Sequence, residues 1–455
     1  MSGIDPIVVL IGLGAGGIAA ILLRALFREV GTQPAGRQAV RAVQVSGSLA
    51  HDQSDTTGSS PPPQNFSPPV ATSLPVPGAD ERRIHTGQNG SVATPTQTPL
   101  NGSGRYEGKT TPEASISALR STLAYGRTAQ FISFINFKGG VGKSTLAVET
   151  AAALAKYFGK RVLLVDLDPQ TNATFYLMDH SKWQSWQDTN GSLQTLFEAY
   201  LLGRGASFNV SQVIKRDLLS QGGISLVPGL ELLPSHLALI QVDVRLAAET
   251  PAEAGVLGNL AIIRQALQQV QAQYDYVIFD CPPNFNLVTQ NGLFASDVYV
   301  IPAIPDYLST LGINLIRGEV ERFSQQIRQA LAPSGGTFTG PELKGIVFTR
   351  VRVRSRNPLR FIDLHERRVQ EVYRTNPELA FKNFISEAVR FAEAPERRLP
   401  VCLSARPEDR DARNEILRLT EEFIERLGGT VNRESAEPRE SGASPAPSPD
   451  GESVS

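Results

Sequence analysis

One stretch constrains the fold more than any other: "FISFINFKGGVGKSTLAVETAAALAKYFGKRVLLVDLDPQ", residues 131–170. An apolar run passes into a glycine loop, then into a helical pattern, then into a second apolar run closed by two acids. That order reads as strand, turn, helix, strand, the unit from which parallel sheets are built. The loop approaches G-x-x-x-x-G-K-[ST], but Phe137 stands where the first glycine belongs, and an extra lysine, Lys138, precedes Gly139 and Gly140. Gly139, Gly140 and Gly142 allow backbone N–H groups to turn toward phosphate oxygens without side-chain obstruction. The helix that follows brings the positive end of its dipole to the same place. Lys143 is then placed to reach the β- and γ-phosphates of a nucleotide, and Ser144 to ligate Mg²⁺.

The alternation continues along the chain. "DYVIFD", "DVYVIPAI" and "KGIVFTRV" read as strands, while "NLAIIRQALQQVQAQY" and "GINLIRGEVERFSQQIRQAL" read as helices. Continuously apolar strands between helices predict an α/β fold, a mostly parallel doubly wound sheet of the P-loop NTPase type. Asp166 and Asp168 end one strand. Residues two apart face the same way, so both point out of the carboxyl end, where ligands bind in such sheets. One is suited to hold Mg²⁺ through water, the other to orient an attacking water. Asp280 ends a second strand and suits a Walker-B carboxylate on the Mg²⁺ shell. Cys281 beside it reads as a small buried filler, since no histidine base is near it in sequence.

The flanks differ in composition. Residues 6–23, "PIVVLIGLGAGGIAAILL", carry no charge and are followed by Arg24, Arg28, Arg37 and Arg41. That length reaches the lower limit of a membrane span, roughly 18–20 residues, and the arginines set the bulk of the chain on the cytoplasmic side. A dinucleotide-binding reading of "GLGAGG" lacks the acidic residue it needs about 20 positions later. Residues 1–30 are therefore expected to be a single-pass anchor in a bacterial-type inner membrane. Residues 31–112, rich in Ser, Thr and Pro, read as a disordered linker, and 429–455 as a disordered tail. The globular unit is expected over 113–428. A net charge of −1 gives no global attraction to nucleic acid, and two distant cysteines, Cys281 and Cys402, exclude a disulfide framework.

Several ordered motifs, "KGGVGKST", "DLDPQTNAT", "GLELLPSHLAL", "YDYVIFDCPPNFN" and "FISEAVRFAEAPERRLPV", make residues 130–428 resemble the ParA/MinD family of deviant Walker-A ATPases. The resemblance explains the odd loop. It implies that Lys138 reaches across an ATP-dependent homodimer to the partner's nucleotide, with Lys138, Lys143 and Asp168 as the catalytic set and Asp168 positioning the water. It implies ATP and Mg²⁺ as cofactors, with Ser144, Asp166 and Asp280 serving the metal. The whole run Lys138, Gly139, Gly140, Val141, Gly142, Lys143, Ser144 and Thr145 would bind ATP, and Glu393 and Pro395 would lie near the base, Ala392 replacing the family's serine. Turnover is expected to be slow and stimulated by a protein partner.

Where the family commonly shows Asn or Asp after its late strand, this chain has "FTRVRVRSRN". Arg350, Arg352, Arg354 and Arg356 alternate, so an extended segment would put them on one face. That row is a candidate for nonspecific DNA binding through phosphates, against a solvated acid-paired rim or a contact with protein or anionic lipid. The expected function is a membrane-held switch ATPase acting in partitioning or spatial positioning of DNA or an envelope complex. The alternatives are an ATP-binding module with little turnover that regulates a membrane partner, and an autokinase of the polysaccharide-export type, which would usually carry a tyrosine-rich tail.

Overall fold

The computed structural model describes residues 128–221, 224–249, 257–356 and 359–431. The expected anchor and linker and most of the tail lie outside these residues. Among the described residues, no helix is long and apolar enough to cross a membrane.

β1 (Gln130–Phe134) runs through the glycine loop into α1 (Lys143–Phe158), which ends at Gly159 in the left-handed region, at φ 60°. β2 (Val162–Asp166) is followed by α2 (Asn172–Leu177), α3 (His180–Asn190) and α4 (Leu193–Leu201). A small hairpin, β3 (Ser220–Gln221) and β4 (Ile224–Ser225), precedes β5 (Leu230–Leu233). Then come α5 (Leu239–Glu249), α6 (Leu257–Leu260), α7 (Ile262–Leu267) and β6 (Tyr276–Asp280). α8 (Leu287–Ala295) leads to β7 (Val298–Ala303), and α9 (Tyr307–Leu331) to β8 (Glu342–Phe348). A hairpin of β9 (Val353–Arg356) and β10 (Leu359–Phe361) is followed by α10 (Asp363–Thr375), α11 (Val389–Arg397) and α12 (Arg410–Arg426).

Six strands form one sheet in the order β5-β2-β6-β1-β7-β8, and every pair is parallel. The chain leaves β1 toward β2 on one side and leaves β7 toward β8 on the other, so the glycine loop opens beside a change of winding direction, where such sheets bind ligands. Side chains alternate between two cores, as the strand period requires. Phe131, Leu163, Val165, Val277 and Phe279 pack beneath α4, α5, α8 and α9. Ile132, Phe134, Leu164 and Ile278 pack on the opposite face beneath α1 and α12.

The sequence pattern and the structure part in two places. The expected helix over "NLAIIRQALQQVQAQY" is broken after Leu260 into α6, α7 and a short 3-10 turn at Gln271–Gln273. The buried side chain of Asn291 sits in the break. Its Oδ1 accepts from Ile263 N at 3.3 Å, and its Nδ2 donates to Asn259 O at 2.6 Å and Leu287 O at 3.0 Å. A polar side chain inserted into the ladder is a recognised cause of such breaks. α9 begins at Tyr307, five residues before the expected "GINLIRG", because Asp306 caps it by accepting from Ser309 N at 2.7 Å. Asn291→Leu should cost about 2–4 kcal/mol, since it strands a buried N–H and a buried carbonyl. The check is the urea midpoint of the full chain, which should fall without loss of the native far-UV spectrum.

Candidate functional site

The loop between β1 and α1 is shaped by its own side chains. Buried Asn136 accepts from Lys138 N at 2.9 Å through Oδ1 and donates to Pro302 O at 2.7 Å through Nδ2, which ties the loop to β7. Gly140 and Gly142 have φ of 72° and 82°, a region that favours glycine. A Cβ added at Gly139 or Gly140 would meet nothing within 4 Å. The absence of side chains there leaves the loop's backbone bare to the cleft. Thr349, at the end of β8, donates its hydroxyl to Val141 O at 2.5 Å and closes the cradle from the other side.

The cradle is one wall of a cleft of about 740 Å³, within the usual size of small-molecule sites, roughly 300–1,000 Å³. Gly139, Gly140, Gly142, Lys143, Ser144 and Thr145 form the floor, Asp168, Gln170 and Phe175 one side, and Thr349, Arg350 and the 385–388 segment the other. Pro395, on α11, also lines it, whereas Glu393 is exposed and outside the lining. Of the two residues expected near the base, Pro395 lines the cleft and Glu393 does not.

The three acids are placed at different depths. Asp166 and Asp280 are in register on neighbouring strands and fully buried. Asp166 Oδ2 accepts from Thr174 N at 2.8 Å and Thr174 Oγ1 at 2.7 Å, and its Oδ1 accepts from Asp168 N at 3.1 Å. Both its oxygens are thus taken up in holding α2 and the turn after β2, and it does not line the cleft. The metal role expected of Asp166 meets this obstacle. Asp280 is the opposite case: neither of its oxygens has a hydrogen-bond partner of good geometry. Burial pushes its pKa up, while the Ser144 hydroxyl and the Lys143 ammonium pull against that. Asp166 is also raised, by burial first and by the charge of Asp280 second. Asp168 is 5% exposed, at the cleft wall. Burial raises its pKa against the Gln170 N–H and Lys143. Lys143 is itself buried, and that desolvation lowers its pKa despite the nearby Asp280 and Asp168.

Asp280 and Asp168 both act on one buried ammonium, Lys143, and a bare buried carboxylate is costly. Asp280 and the Ser144 hydroxyl fit a Mg²⁺ ion that arrives with a nucleotide. Among the described residues there is no cluster of three or more His, Cys, Asp or Glu side chains able to hold a metal alone. Mg²⁺ is commonly bound by one or two carboxylates together with substrate phosphates.

Of the surroundings, Lys138 and Cys281 were singled out in the sequence and Glu149 was not. Glu149, fully buried on α1, accepts from Tyr176 Oη at 2.8 Å, Val401 N at 2.6 Å and Cys402 N at 3.0 Å, with burial raising its pKa. It joins the cradle helix to α2 and to the turn after α11. The signal was available: an acid inside "LAVETAAALA" must have partners. Lys138 Nζ, expected to reach a partner subunit, is held within the chain, 2.6 Å from Asp306 Oδ2 and 3.2 Å from Ser309 Oγ. Burial works to raise the Asp306 pKa, but these bonds outweigh it and hold the carboxyl below its usual range. Cys281 is buried, and its thiol is pushed up to about 12, which excludes it as a ready nucleophile.

The arginine row does not form a free cationic face. Arg350 sits at φ 52°, which breaks the extended run before β9 begins. Arg350 and Arg352 share Glu387, Arg354 pairs with Asp363 at 3.5 Å, and Arg356 pairs with Glu415 at 2.8 Å and Asp411 at 3.9 Å. Each of the four arginines has an acidic partner, so the row expected as a DNA-binding face is an ion-paired rim in this structure.

A parallel sheet that brings a glycine cradle and a buried lysine to one cleft, with a bare carboxylate next to that lysine, defines a P-loop nucleotide-binding protein. A family profile described as an AAA domain matches residues 129–332. The sporulation initiation inhibitor protein Soj of Bacillus subtilis is 29% identical over 274 residues, 60% of this chain and 90% of that one. The chromosome partitioning protein ParA of Myxococcus xanthus is 29% identical over 298 residues, 62% of this chain and 87% of that one. An uncharacterized protein of Mycobacterium tuberculosis is 30% identical over 266 residues, 58% of this chain and 70% of that one. Among solved structures, an ATP complex of a Cyanothece McdA variant aligns with 68% of this chain and 99% of that one, at 20% identity and a TM-score of 0.49. The chain belongs to the ParA/MinD-like P-loop ATPases.

The Asp280 geometry makes a prediction with a definite sign. Its native pKa is raised, so without divalent cation the native state binds more protons than the unfolded chain once the pH passes the ordinary carboxylate range. Native stability then falls as pH rises through the elevated pKa. Asp280→Asn should raise the thermal midpoint of the nucleotide-free full chain at pH 8 by about 2–5 °C and leave it little changed at pH 5. The same variant should lose the stabilisation that Mg²⁺ adds to nucleotide. A scan of midpoint against pH, with and without Mg²⁺, checks both.

Proposed function

We propose that the protein binds and hydrolyses ATP with Mg²⁺ and that its ATP-bound dimer is the signalling state of a partitioning or positioning switch. The observation that carries this reading is Asp280, a buried carboxylate with no hydrogen-bond partner of good geometry, beside Lys143 and Ser144, which line the cleft together with the bare glycine cradle. Bound Mg²⁺ would supply charge neutralisation on the phosphate oxygens. Lys143 and the loop N–H groups hold the polyphosphate, and Ser144 and Asp280 hold the metal. Asp168, at the cleft wall with a raised pKa, would orient a water and accept its proton. Glu149 and the Thr174 contacts of Asp166 keep that wall fixed relative to the cradle.

Dimerisation is supported by the surroundings of Lys138. Leu308, Leu311 and Leu315 lie on one face of α9 and are 67%, 47% and 67% exposed, and Asp306 at the start of that helix holds Lys138. Exposed apolar residues contiguous with a signature lysine fit a surface covered by a second copy. In that assembly Lys138 leaves Asp306 for the partner's phosphates, an exchange of one anion for another. The partitioning role is suggested by the names of the Soj and ParA relatives and does not rest on the arginine rim. The uncharged stretch 6–23, followed by arginines, supports a tether at the inner membrane with the ATPase unit cytoplasmic. A protein partner would accelerate an otherwise slow turnover.

Asp168→Ala should retain ATP binding and reduce phosphate release by about 100-fold or more, the scale of a lost general base. It should accumulate as dimer in light scattering. Normal hydrolysis by this variant would remove Asp168 from the mechanism. Lys138→Gln should bind ATP with near-normal affinity and remain monomeric in sedimentation with ATP, and ATP-dependent dimers of that variant would exclude the intersubunit role.

A further inference from the structure

Arg350 does not behave like the other arginines of its rim. It is the member of the row that lines the nucleotide cleft. Its Nη1 donates to Gly140 O at 3.1 Å, so the guanidinium is laid on the glycine loop itself. Its backbone is in the left-handed region, at φ 52°. A non-glycine residue held there is strained, and such strain tends to persist where surrounding structure imposes it at working sites. Here both neighbours are fixed: Thr349 Oγ1 donates to Val141 O, and Val351 N donates to Ile385 O at 3.0 Å. The strained turn therefore points one side chain into the cleft.

The local charge is unbalanced. Glu387 Oε1 takes Arg350 at 3.1 Å, and its Oε2 takes Arg352 at 2.5 Å. One carboxylate serves two guanidiniums, which leaves a net positive charge at the mouth of the cleft. The contacts to Gly140 and Glu387 engage two of the five donors an arginine carries, and planar guanidinium donors match phosphate geometry. Resting on the nucleotide reading above, we infer that Arg350 is a phosphate ligand of the bound nucleotide, a second in-chain cation beside Lys143, with Glu387 as its holder when the cleft is empty. Arg352 touches Glu387 from outside the cleft and has no such role.

The test is equilibrium binding of a fluorescent ATP analogue to the full chain with Mg²⁺, for wild type, Arg350→Gln and Arg352→Gln, with inorganic tripolyphosphate as competitor. Arg350 is 52% exposed by its side chain, so folding should survive, and an unchanged thermal midpoint without nucleotide verifies that. Arg350→Gln should weaken analogue binding about tenfold or more, the scale of one charge-assisted hydrogen bond. Tripolyphosphate should lose a similar factor as competitor, and Arg352→Gln should bind within about twofold of wild type, because its exposed ion pair contributes little. Wild-type affinity in Arg350→Gln, or an equal loss in Arg352→Gln, would overturn the inference and make Arg350 a surface partner of Glu387. Loss for the analogue with none for tripolyphosphate would overturn the phosphate assignment. Failure of wild type to bind the analogue at all would overturn the nucleotide reading itself, a separate result.

Discussion

Two carboxylates at the same level of adjacent parallel strands set the terms for the rest of the molecule. Asp166 and Asp280 are paired in register at the carboxyl ends of β2 and β6, both without solvent. Buried like charges cannot both be left bare. The structure resolves this asymmetrically. Asp166 is saturated by Thr174 and the Asp168 N–H and becomes a structural anchor for the segment that carries Asp168. Asp280 is left open toward Lys143 and Ser144. A cation is what completes that arrangement, and the glycine cradle is where a cation with its phosphates would be delivered.

The walls of the cleft depend on further buried acids that do no chemistry. Glu149 fastens α1 to α2 through Tyr176 and to the chain beyond α11 through two backbone N–H groups. Glu415, on α12, accepts from Ser386 N at 2.9 Å and Ser386 Oγ at 2.8 Å, which fixes the wall opposite Asp168. These bonds cross long sequence separations, so the cleft's width is set by the packed helices and not by its own loops. Lys138 stands apart from this fixed set. Its half-buried ion pair with Asp306 is a single bond to one carboxylate, which a more highly charged phosphate group could replace.

Much of the sheet was legible because buried parallel strands are continuously apolar, as in "VLLVD" and "YVIFD", and helices carry their own period. The cradle was legible because glycines, a lysine and a serine at fixed spacing have few other uses. The break beneath Asn291 was not, since it comes from one side chain 28 residues away from the N–H it takes. The early start of α9 was written in "DYLS" as a capping aspartate, a short-range signal overshadowed by the apolar period further on. The ion pairing of the arginine row was not legible, for a different reason. Alternation in sequence implies one face only if the backbone is extended, and the left-handed turn at Arg350 breaks that condition. The partners Glu387, Asp363, Asp411 and Glu415 come from three separate segments that no local pattern brings together.

The central claim is that the cleft is a Mg²⁺–ATP site whose metal is held from the protein side by Asp280 and Ser144. Mn²⁺, a paramagnetic substitute for Mg²⁺, tests it most directly. Electron paramagnetic resonance of the full chain should show Mn²⁺ immobilised when ATP is present, at one ion per chain, with little binding when ATP is omitted. Tight Mn²⁺ binding that ignores ATP, or ATP binding that leaves Mn²⁺ free, would contradict the account.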